Sequence, residues 1–289
     1  MNRKKIYPFY LAVLPLTIFF VFFILPSTVG YFYAFTNWSA ARTKNLSFVG
    51  LTNILSVIQN RKLPVAFGNT IIYTVVKTVL VTLLGFVFAY MLNKDIRHRT
   101  FLRTLYFIPS VLSCLVVGLI FGAVFQTRHG ILNNILNAFG IDNIQWLGKR
   151  TTAVSAICMT EIWRNTGFAI IITLAGMQSV SSEYIEAGRL DGASEWQMFK
   201  NIILPIIMPT VNINILFSLI HGLKMFDLIE VMTGGGPGNA TESLGTLVMT
   251  EMSEGRYAQS VAVNLVFSVF LFAVSWLYSK FSARWETVL

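Results

Sequence analysis

Six long apolar stretches alternate with shorter polar segments along this chain. A hydrocarbon core of about 30 Å requires about 20 mainly apolar residues for each helical span. The pattern predicts spans, with approximate ends, at residues 7–33, 70–92, 105–125, 153–176, 206–228 and 260–281. We therefore predict an all-α integral membrane protein with six transmembrane helices.

The first apolar stretch follows Arg3, Lys4 and Lys5, an arrangement that secretory signal peptides also show. The stretch is longer than the roughly 7 to 15 apolar residues of a signal peptide. We interpret it as a retained signal anchor.

Lysine and arginine positions predict the orientation, because short cytoplasmic loops carry an excess of these residues. The tight loop between spans two and three holds Lys94, Arg97, Arg99 and Arg103. With both termini inside, residues 183–209 form a cytoplasmic loop and residues 37–69 an extracytoplasmic segment. Residues 1–289 are predicted to form a single membrane domain, with spans two to six at residues 70–281. The outer loops also contain basic residues, but these are spread over longer segments.

Residues 183–209 form a polar, helix-compatible insert between spans four and five. The Asp191-Gly192 pair predicts a bend between two helices, and Ser194 with Gln197 fits a capping box. A side chain at Gly192 is expected to crowd this bend and to restrict a positive φ. The second helix places Trp196, Phe199 and Ile203 on one apolar stripe. Pro205 and Pro209 fit helix starts or kinks where the chain enters the membrane again. An ordinary interfacial amphipathic helix is the alternative reading.

Composition agrees with a membrane protein, since 55% of residues are hydrophobic, 12% are charged and the mean hydropathy is +0.65. The net charge of +9 is dispersed at the ends of apolar runs, which favours the membrane surface over nucleic acid as partner. Cys114 and Cys158 lack the spacing of a disulfide framework or a metal site. No catalytic or metal-ligand constellation emerges.

Ionisable and polar residues inside spans four and five are the candidates for a substrate path, because such residues are costly toward lipid. Span five places hydrogen-bonding side chains on one helical face, and span four adds a carboxylate and a cation at i,i+3. The candidates are Asn214, Ser218, His221, Lys224, Asp227, Glu161, Arg164 and Asn165. Structural hydrogen bonding between helices is the alternative. Lys77 in span two has no partner that the sequence identifies.

The polar insert resembles the EAA loop, by which permease subunits of binding-protein-dependent ATP-binding-cassette importers dock their ATPases. The resemblance assigns ATPase coupling to Glu186, Ala187, Gly188, Asp191, Gly192, Ala193, Phe199, Leu204 and Pro205. It departs from the family pattern at Gly188, usually alanine, and at Ser181 or Ser182, where a proline is usual.

Further segments extend the resemblance to carbohydrate-type permeases. Residues 48–53 (FVGLTN), Asn69-Thr70 and the stretch from Asn133 to Trp146-Leu147 are similar to elements of that family. Phe226-Asp227, Thr233 with residues 234–237 and Thr241-Glu242 resemble the TGGGP region of the upstream maltose- and glycerol-phosphate-type subunit. This glycine-rich turn lacks the Gly-Lys-Ser/Thr of a nucleotide-binding loop.

The resemblance implies a type I importer permease fold in a bacterial cytoplasmic membrane. It also implies a second homologous permease subunit, two ATPase subunits that bind ATP and Mg²⁺, and an extracytoplasmic solute-binding protein. The chain itself is expected to bind no cofactor and to catalyse no reaction. The implied substrate is a carbohydrate, and an oligosaccharide is the favoured kind. A stand-alone secondary transporter or channel is the alternative, but it leaves the EAA-like loop unexplained.

Overall fold

The computed structural model describes residues 10–286. Arg3, Lys4 and Lys5, on which part of the predicted orientation rests, lie outside the described residues. No strand occurs among residues 10–286, where extended pairing is limited to two isolated bridges. The prediction of an all-helical membrane fold is confirmed.

Fourteen α-helices occur among residues 10–286. They are α1 Tyr10–Phe19, α2 Leu25–Phe32, α3 Thr52–Gln59, α4 Lys62–Asn93, α5 Arg99–Val111, α6 Cys114–Val124, α7 Ile131–Ala138, α8 Arg150–Gln178, α9 Ser182–Leu190, α10 Glu195–Met198, α11 Leu204–Leu223, α12 Asp227–Thr233, α13 Leu244–Ser253 and α14 Tyr257–Glu286. Two π-helical turns, Phe20–Ile24 and Phe199–Ile203, join α1 to α2 and α10 to α11, and a 3₁₀ turn, Tyr33–Phe35, follows α2.

Four helical stretches are long and apolar enough to cross a membrane: Leu11–Phe35, Lys62–Asn93, Glu195–Leu223 and Tyr257–Ser282. Two bent pairs pass the same test jointly, α5 with α6 at 97° and α8 with α9 at 66°. Counting each bent pair as one span gives six among the described residues. The predicted fourth span lies within α8.

Two predicted spans need correction. The third is not one helix, because the chain turns sharply at residues 112–113 between α5 and α6. The fifth, expected at residues 206–228, lies in a helix that runs from Glu195 to Leu223 and so ends five residues earlier. Asp227 therefore does not continue the face of α11, since residues 224–226 break the helix and Asp227 begins α12.

Each π-helical turn stands directly before a Leu-Pro pair, Leu25-Pro26 or Leu204-Pro205. Proline has no N–H to bond the carbonyl four residues earlier, and its ring crowds that carbonyl. A widened turn before the proline accommodates both effects without ending the helix. Pro205 was predicted to mark a helix start or kink, and here it follows such a turn within the continuous helix Glu195–Leu223.

The chain divides into two compact units. One comprises the described residues up to Leu63 with Leu247–Ser268, and the other comprises Pro64–Thr246 with the described residues from Val269 onward. In the first unit the Trp38 ring packs against Tyr33 and Tyr257, each with ring centroids 4.9 Å apart. The buried Glu251 carboxylate pairs there with Arg256.

Helices of the second unit cross where one of them carries a small residue. A Cβ at Gly85 of α4 would lie 2.6 Å from the Ala169 Cβ of α8, and a Cβ at Gly222 of α11 would lie 2.8 Å from the Thr74 Cα of α4. Membrane helices pack closely in this way because lipid provides no hydrophobic force to drive them together. The glycines therefore set the spacing of α4, α8 and α11.

Candidate functional site

Helix α9 forms the first half of the EAA-like loop, residues 183–209. The Ser181 hydroxyl caps it by accepting a hydrogen bond of 3.3 Å from the Glu183 N–H. Serine is a strong N-cap residue, so the absence of the family's usual proline leaves the start of this helix well defined.

The bend after α9 is a Schellman motif. The Ala193 N–H bonds the Gly188 carbonyl at 3.0 Å, and the Gly192 N–H bonds the Arg189 carbonyl at 3.1 Å. Gly192 has φ +76°, the left-handed conformation that this motif requires and that glycine adopts most readily. No atom lies within 4 Å of a Cβ built there. The expected crowding at Gly192 is therefore wrong, and the backbone conformation is the remaining reason for glycine.

The second half of the loop begins with the predicted capping box. The Ser194 N–H donates to Gln197 Oε1 at 2.8 Å, and the Gln197 N–H donates to Ser194 Oγ at 3.3 Å. Gly188 is buried against this half, where a Cβ would lie 2.7 Å from Ile202 Cδ1. A small residue at position 188 lets the two halves pack closely.

The loop presents an exposed face that carries charge and apolar surface together. Glu186, Ala187, Asp191 and Gly192 are exposed, and the Leu190 side chain is 89% exposed. Sequence reasoning did not single out Leu190, although an apolar residue four positions after Glu186 on a polar face is a readable signal. Ala193, Phe199, Leu204 and Pro205 are half-buried.

Five of the eight substrate-path candidates meet at one polar cavity of about 260 Å³. Its lining is Cys114, Glu161, Arg164, Ile220, His221, Lys224, Met225, Phe226, Asp227 and Leu228. Residues 224–226, which break the helix after α11, are part of this wall. The cavity thus combines ionisable side chains with an irregular backbone, and non-helical backbone at membrane depth is tolerated where it lines a wet cavity or is buried in protein.

A buried ion cluster borders the cavity. Lys77 Nζ lies 2.6 Å from Glu161 Oε1, and Arg164 Nε lies 3.3 Å from Glu161 Oε2. Lys77 and Glu161 are only 1% and 2% exposed, so Lys77 depends on Glu161 for its charge partner, while Glu161 has both Lys77 and Arg164. The predicted i,i+3 contact of Glu161 with Arg164 is present, and the partner that the sequence did not identify for Lys77 is Glu161.

Helix α5 inserts a side chain into α8 beside this cluster. The Ser110 hydroxyl donates to the Arg164 carbonyl at 2.8 Å and accepts from the Phe168 N–H at 3.1 Å. It thus stands between two groups that a regular helix would bond to each other. Gly167 allows the approach, since a Cβ there would clash with the Tyr106 carbonyl. Sequence reasoning identified neither Ser110 nor Gly167.

The other three candidates do not line the cavity. Asn214 is 1% exposed and donates to Thr173 Oγ1 at 3.3 Å, a contact between α11 and α8. Ser218 is also buried, and Asn165 donates to the Glu161 carbonyl of its own helix at 2.8 Å. His221, one turn beyond Ser218, is exposed and stacks on Phe217.

The asparagines of the family-like segments act alike, since each Nδ2 donates to two backbone carbonyls. Asn69 bonds the carbonyls of Ala240 and Glu242 at 2.8 and 2.9 Å, which ties α4 to the glycine-rich turn. Asn53 bonds those of Ala34 and Thr36, and Asn133 those of Thr127 and Ile144. These asparagines shape loops.

A family model described as the binding-protein-dependent transport system inner membrane component matches residues 81–287. The chain belongs to this family. It is a multi-pass component of the cytoplasmic membrane, and the matched residues include the EAA-like loop, the ion partners Glu161 and Arg164, and the cavity.

Relatives match over almost the whole chain. The multiple sugar-binding transport system permease protein MsmF of Streptococcus mutans is 37% identical, with 95% of this chain and 94% of the relative covered. The trehalose/maltose transport system permease protein MalF of Thermococcus litoralis is 32% identical, with 94% and 92% covered. Permease chains thus align with this one from end to end.

Solved structures share the fold. A chain of a bacterial ABC transporter that imports the acidic polysaccharide alginate aligns with a TM-score of 0.83 at 23% identity, covering 95% of this chain and 94% of that one. A second structure, of the alginate transporter with a pentasaccharide-bound periplasmic protein, gives a TM-score of 0.84 at 22% identity, covering 96% and 94%. The fold is that of type I ABC importer permeases.

Proposed function

We propose that this chain is the transmembrane subunit of an ATP-driven importer for a carbohydrate, and that its EAA-like loop docks a separate ATPase. The exposed face of α9 and the turn at Gly192 support the docking role. Glu186, Asp191 and the highly exposed Leu190 lie on a segment whose opposite side is held by Gly188, Met198 and Ile202. A rigid element with a mixed apolar and charged outer face suits a protein interface.

The names of the relatives support a sugar as cargo, since MsmF and MalF are named for multiple sugars and for trehalose/maltose. The cavity lined by His221, Lys224 and Asp227 offers hydrogen-bonding groups of the kind that hydroxyl-rich solutes require. A second permease subunit, two ATPases and an extracytoplasmic solute-binding protein complete the proposed importer. Closure of the ATPases on ATP then moves the loop and rocks the attached helices between two access states.

A pair of glycines tests the docking role. Gly192 and Gly140 have φ +76° and +77°, and a Cβ would meet nothing within 4 Å at either position. Valine at each therefore carries the same conformational penalty, roughly 1–2 kcal/mol for a left-handed residue. Gly140 lies outside the loop, just after α7.

We expect Gly192→Val to lose co-purification of the cognate ATPase and ATP-dependent uptake, while Gly140→Val keeps both. Glu186→Lys should also lose the ATPase, because it reverses an exposed charge without disturbing a described contact. Membrane insertion should be unchanged in all three variants. Normal ATPase binding and uptake by Gly192→Val and Glu186→Lys would disprove docking through this loop. Uptake by the chain without any ATPase would instead favour a stand-alone transporter.

A further inference from the structure

An apolar groove runs between the end of α4 and the second half of the EAA-like loop. Its volume is about 390 Å³, and it is lined by Phe86, Val87, Tyr90, Met91, Glu195, Trp196 and Phe199. This groove, hereafter the aromatic groove, lies apart from the polar cavity and shares no residue with it. Its volume falls within the range of about 300–1,000 Å³ typical of small-molecule sites.

Phe199 is the centre of the aromatic groove. Its ring lies 5.5 Å from Phe86, 5.7 Å from Tyr90 and 5.5 Å from Trp196, measured between centroids. The walls remain open, since Trp196 is 68% and Met91 51% exposed. Trp and Tyr are enriched where the hydrocarbon core of a membrane meets its headgroups.

A basic segment begins at the end of α4, beside the aromatic groove. Lys94 Nζ lies 5.2 Å from the centroid of the Tyr90 ring, which lines the groove. Lys94 lies 3.8 Å from Glu195, but both side chains are largely exposed, and such ion pairs contribute little. The loop after α4 adds Arg97, and the first turns of α5 add Arg99 and Arg103, with Asp95 as the one acidic residue of residues 94–103.

We propose that the aromatic groove binds an anionic phospholipid. The acyl chain lies along Val87, Met91 and Trp196, and the phosphate lies beside Lys94 and the basic segment that follows α4. Charge complementarity identifies this occupant, because an apolar groove beside Lys94 and a basic segment at the end of a membrane helix matches a lipid with a negative headgroup. Clusters of lysine and arginine next to a membrane helix attract anionic lipids.

The bound lipid joins α4 to the segment that follows the proposed docking turn. Glu195 and Phe199 belong to that segment, and Phe86 and Tyr90 to α4. A lipid packed against both walls therefore stabilises the position of the EAA-like loop relative to α4. Lipid binding itself requires neither an ATPase nor a sugar, so it can be measured on the chain alone and stands or falls separately from the proposed transport function.

Native mass spectrometry of the purified chain in detergent tests the proposal, with phosphatidylglycerol and phosphatidylcholine as probes. We expect phosphatidylglycerol to bind more tightly than phosphatidylcholine, and Lys94→Gln to weaken phosphatidylglycerol binding about fivefold. Trp196→Phe should keep binding, and Trp196→Ala should weaken both lipids. Quenching of tryptophan fluorescence by phosphatidylglycerol with brominated acyl chains should fall when Trp196 is replaced by phenylalanine.

Trp276 and Lys280 provide a matched control, because Lys280 Nζ lies 5.1 Å from the centroid of the Trp276 ring and Trp276 is also exposed. Neither residue lines the aromatic groove. Lys280→Gln and Trp276→Ala should leave the tight phosphatidylglycerol binding unchanged. Equal affinity for the two lipids, or equal losses in the control and groove variants, would overturn the proposal. Unchanged quenching in Trp196→Phe would also overturn it.

Discussion

Replacing Glu161 should destabilise the protein more than replacing its partner Lys77. Glu161→Gln leaves the Lys77 ammonium, 1% exposed, without a counter-charge, and it also frees Arg164. Removing one partner of a buried ion pair costs about 3–5 kcal/mol, because the remaining charge stays buried and unpaired. Lys77→Met leaves Glu161 paired with Arg164, so we expect a smaller loss of unfolding free energy.

The double variant Lys77→Met with Glu161→Gln removes both buried charges. Its stability should lie near that of Lys77→Met alone, so the coupling energy in a double-mutant cycle should equal in size the cost of Glu161→Gln, about 3–5 kcal/mol. The assay is thermal unfolding of the purified chain in detergent, followed by tryptophan fluorescence at one scan rate. The order of the unfolding midpoints then ranks the stabilities of the variants, even where unfolding is irreversible.

The exposed pair Lys94 and Glu195 is the matched control. Their side chains are 59% and 82% exposed, so Lys94→Met and Glu195→Gln should each change stability by less than about 1 kcal/mol. The reasoning fails if Glu161→Gln is as stable as Lys77→Met. It also fails if the double variant is no more stable than Glu161→Gln.

Three further predictions concern the cavity, the glycine-rich turn and the helix crossings. In a chain without native cysteines, a cysteine that replaces His221 should react with water-soluble reagents, and substrate should slow this reaction. A cysteine that replaces the buried Asn214 should stay unreactive in this conformation, and equal labelling at the two positions would contradict the geometry. Asn69→Ala should speed hydrogen exchange across residues 233–243, because it removes two hydrogen bonds that each contribute about 1 kcal/mol to stability. Unchanged exchange would show that the turn is stable without Asn69. Gly85→Ala should destabilise the protein by about 1–3 kcal/mol, because the added methyl group overpacks the helix crossing. Gly68→Ala lies in the same helix with open space around it and should stabilise the protein by up to about 1 kcal/mol. Equal midpoints of thermal unfolding in the two variants would refute the crossing argument.

Local signals in the sequence were sufficient for much of the fold. Length and hydropathy placed the spans, and the Asp191-Gly192 pair with the Ser194 capping box placed the helix-turn-helix, because these structures depend on residues a few positions apart. The end of α11 was not readable in this way. Apolar residues continue past Leu223 with Met225 and Phe226, but the helix nevertheless ends at Leu223.

Contacts between distant segments were beyond the sequence. Lys77 and Glu161 are 84 positions apart, and Ser110 reaches the backbone of α8 54 positions away. Nothing in the residues around Lys77 or Ser110 indicates these partners. The polar candidates of span five were assigned to one helical face, but the crossing with α8 buries Asn214 and leaves His221 at the cavity.

Ionisable side chains, broken helices and the polar cavity occur together, and the physical costs of the three explain why. A charge in lipid requires a counter-ion or water, and a helix end at membrane depth requires partners for its free carbonyl and N–H groups. Residues 224–226 end α11 at the cavity, and Cys114, which begins α6 after the sharp turn, lines the same space. Water in the cavity can solvate these helix ends and the side chains of Lys224 and Asp227. An ionisable side chain or a helix break is energetically costly alone in lipid, and the cost falls when both face the same polar cavity. A charge in an apolar stretch together with a nearby helix break therefore indicates a wet region within the membrane.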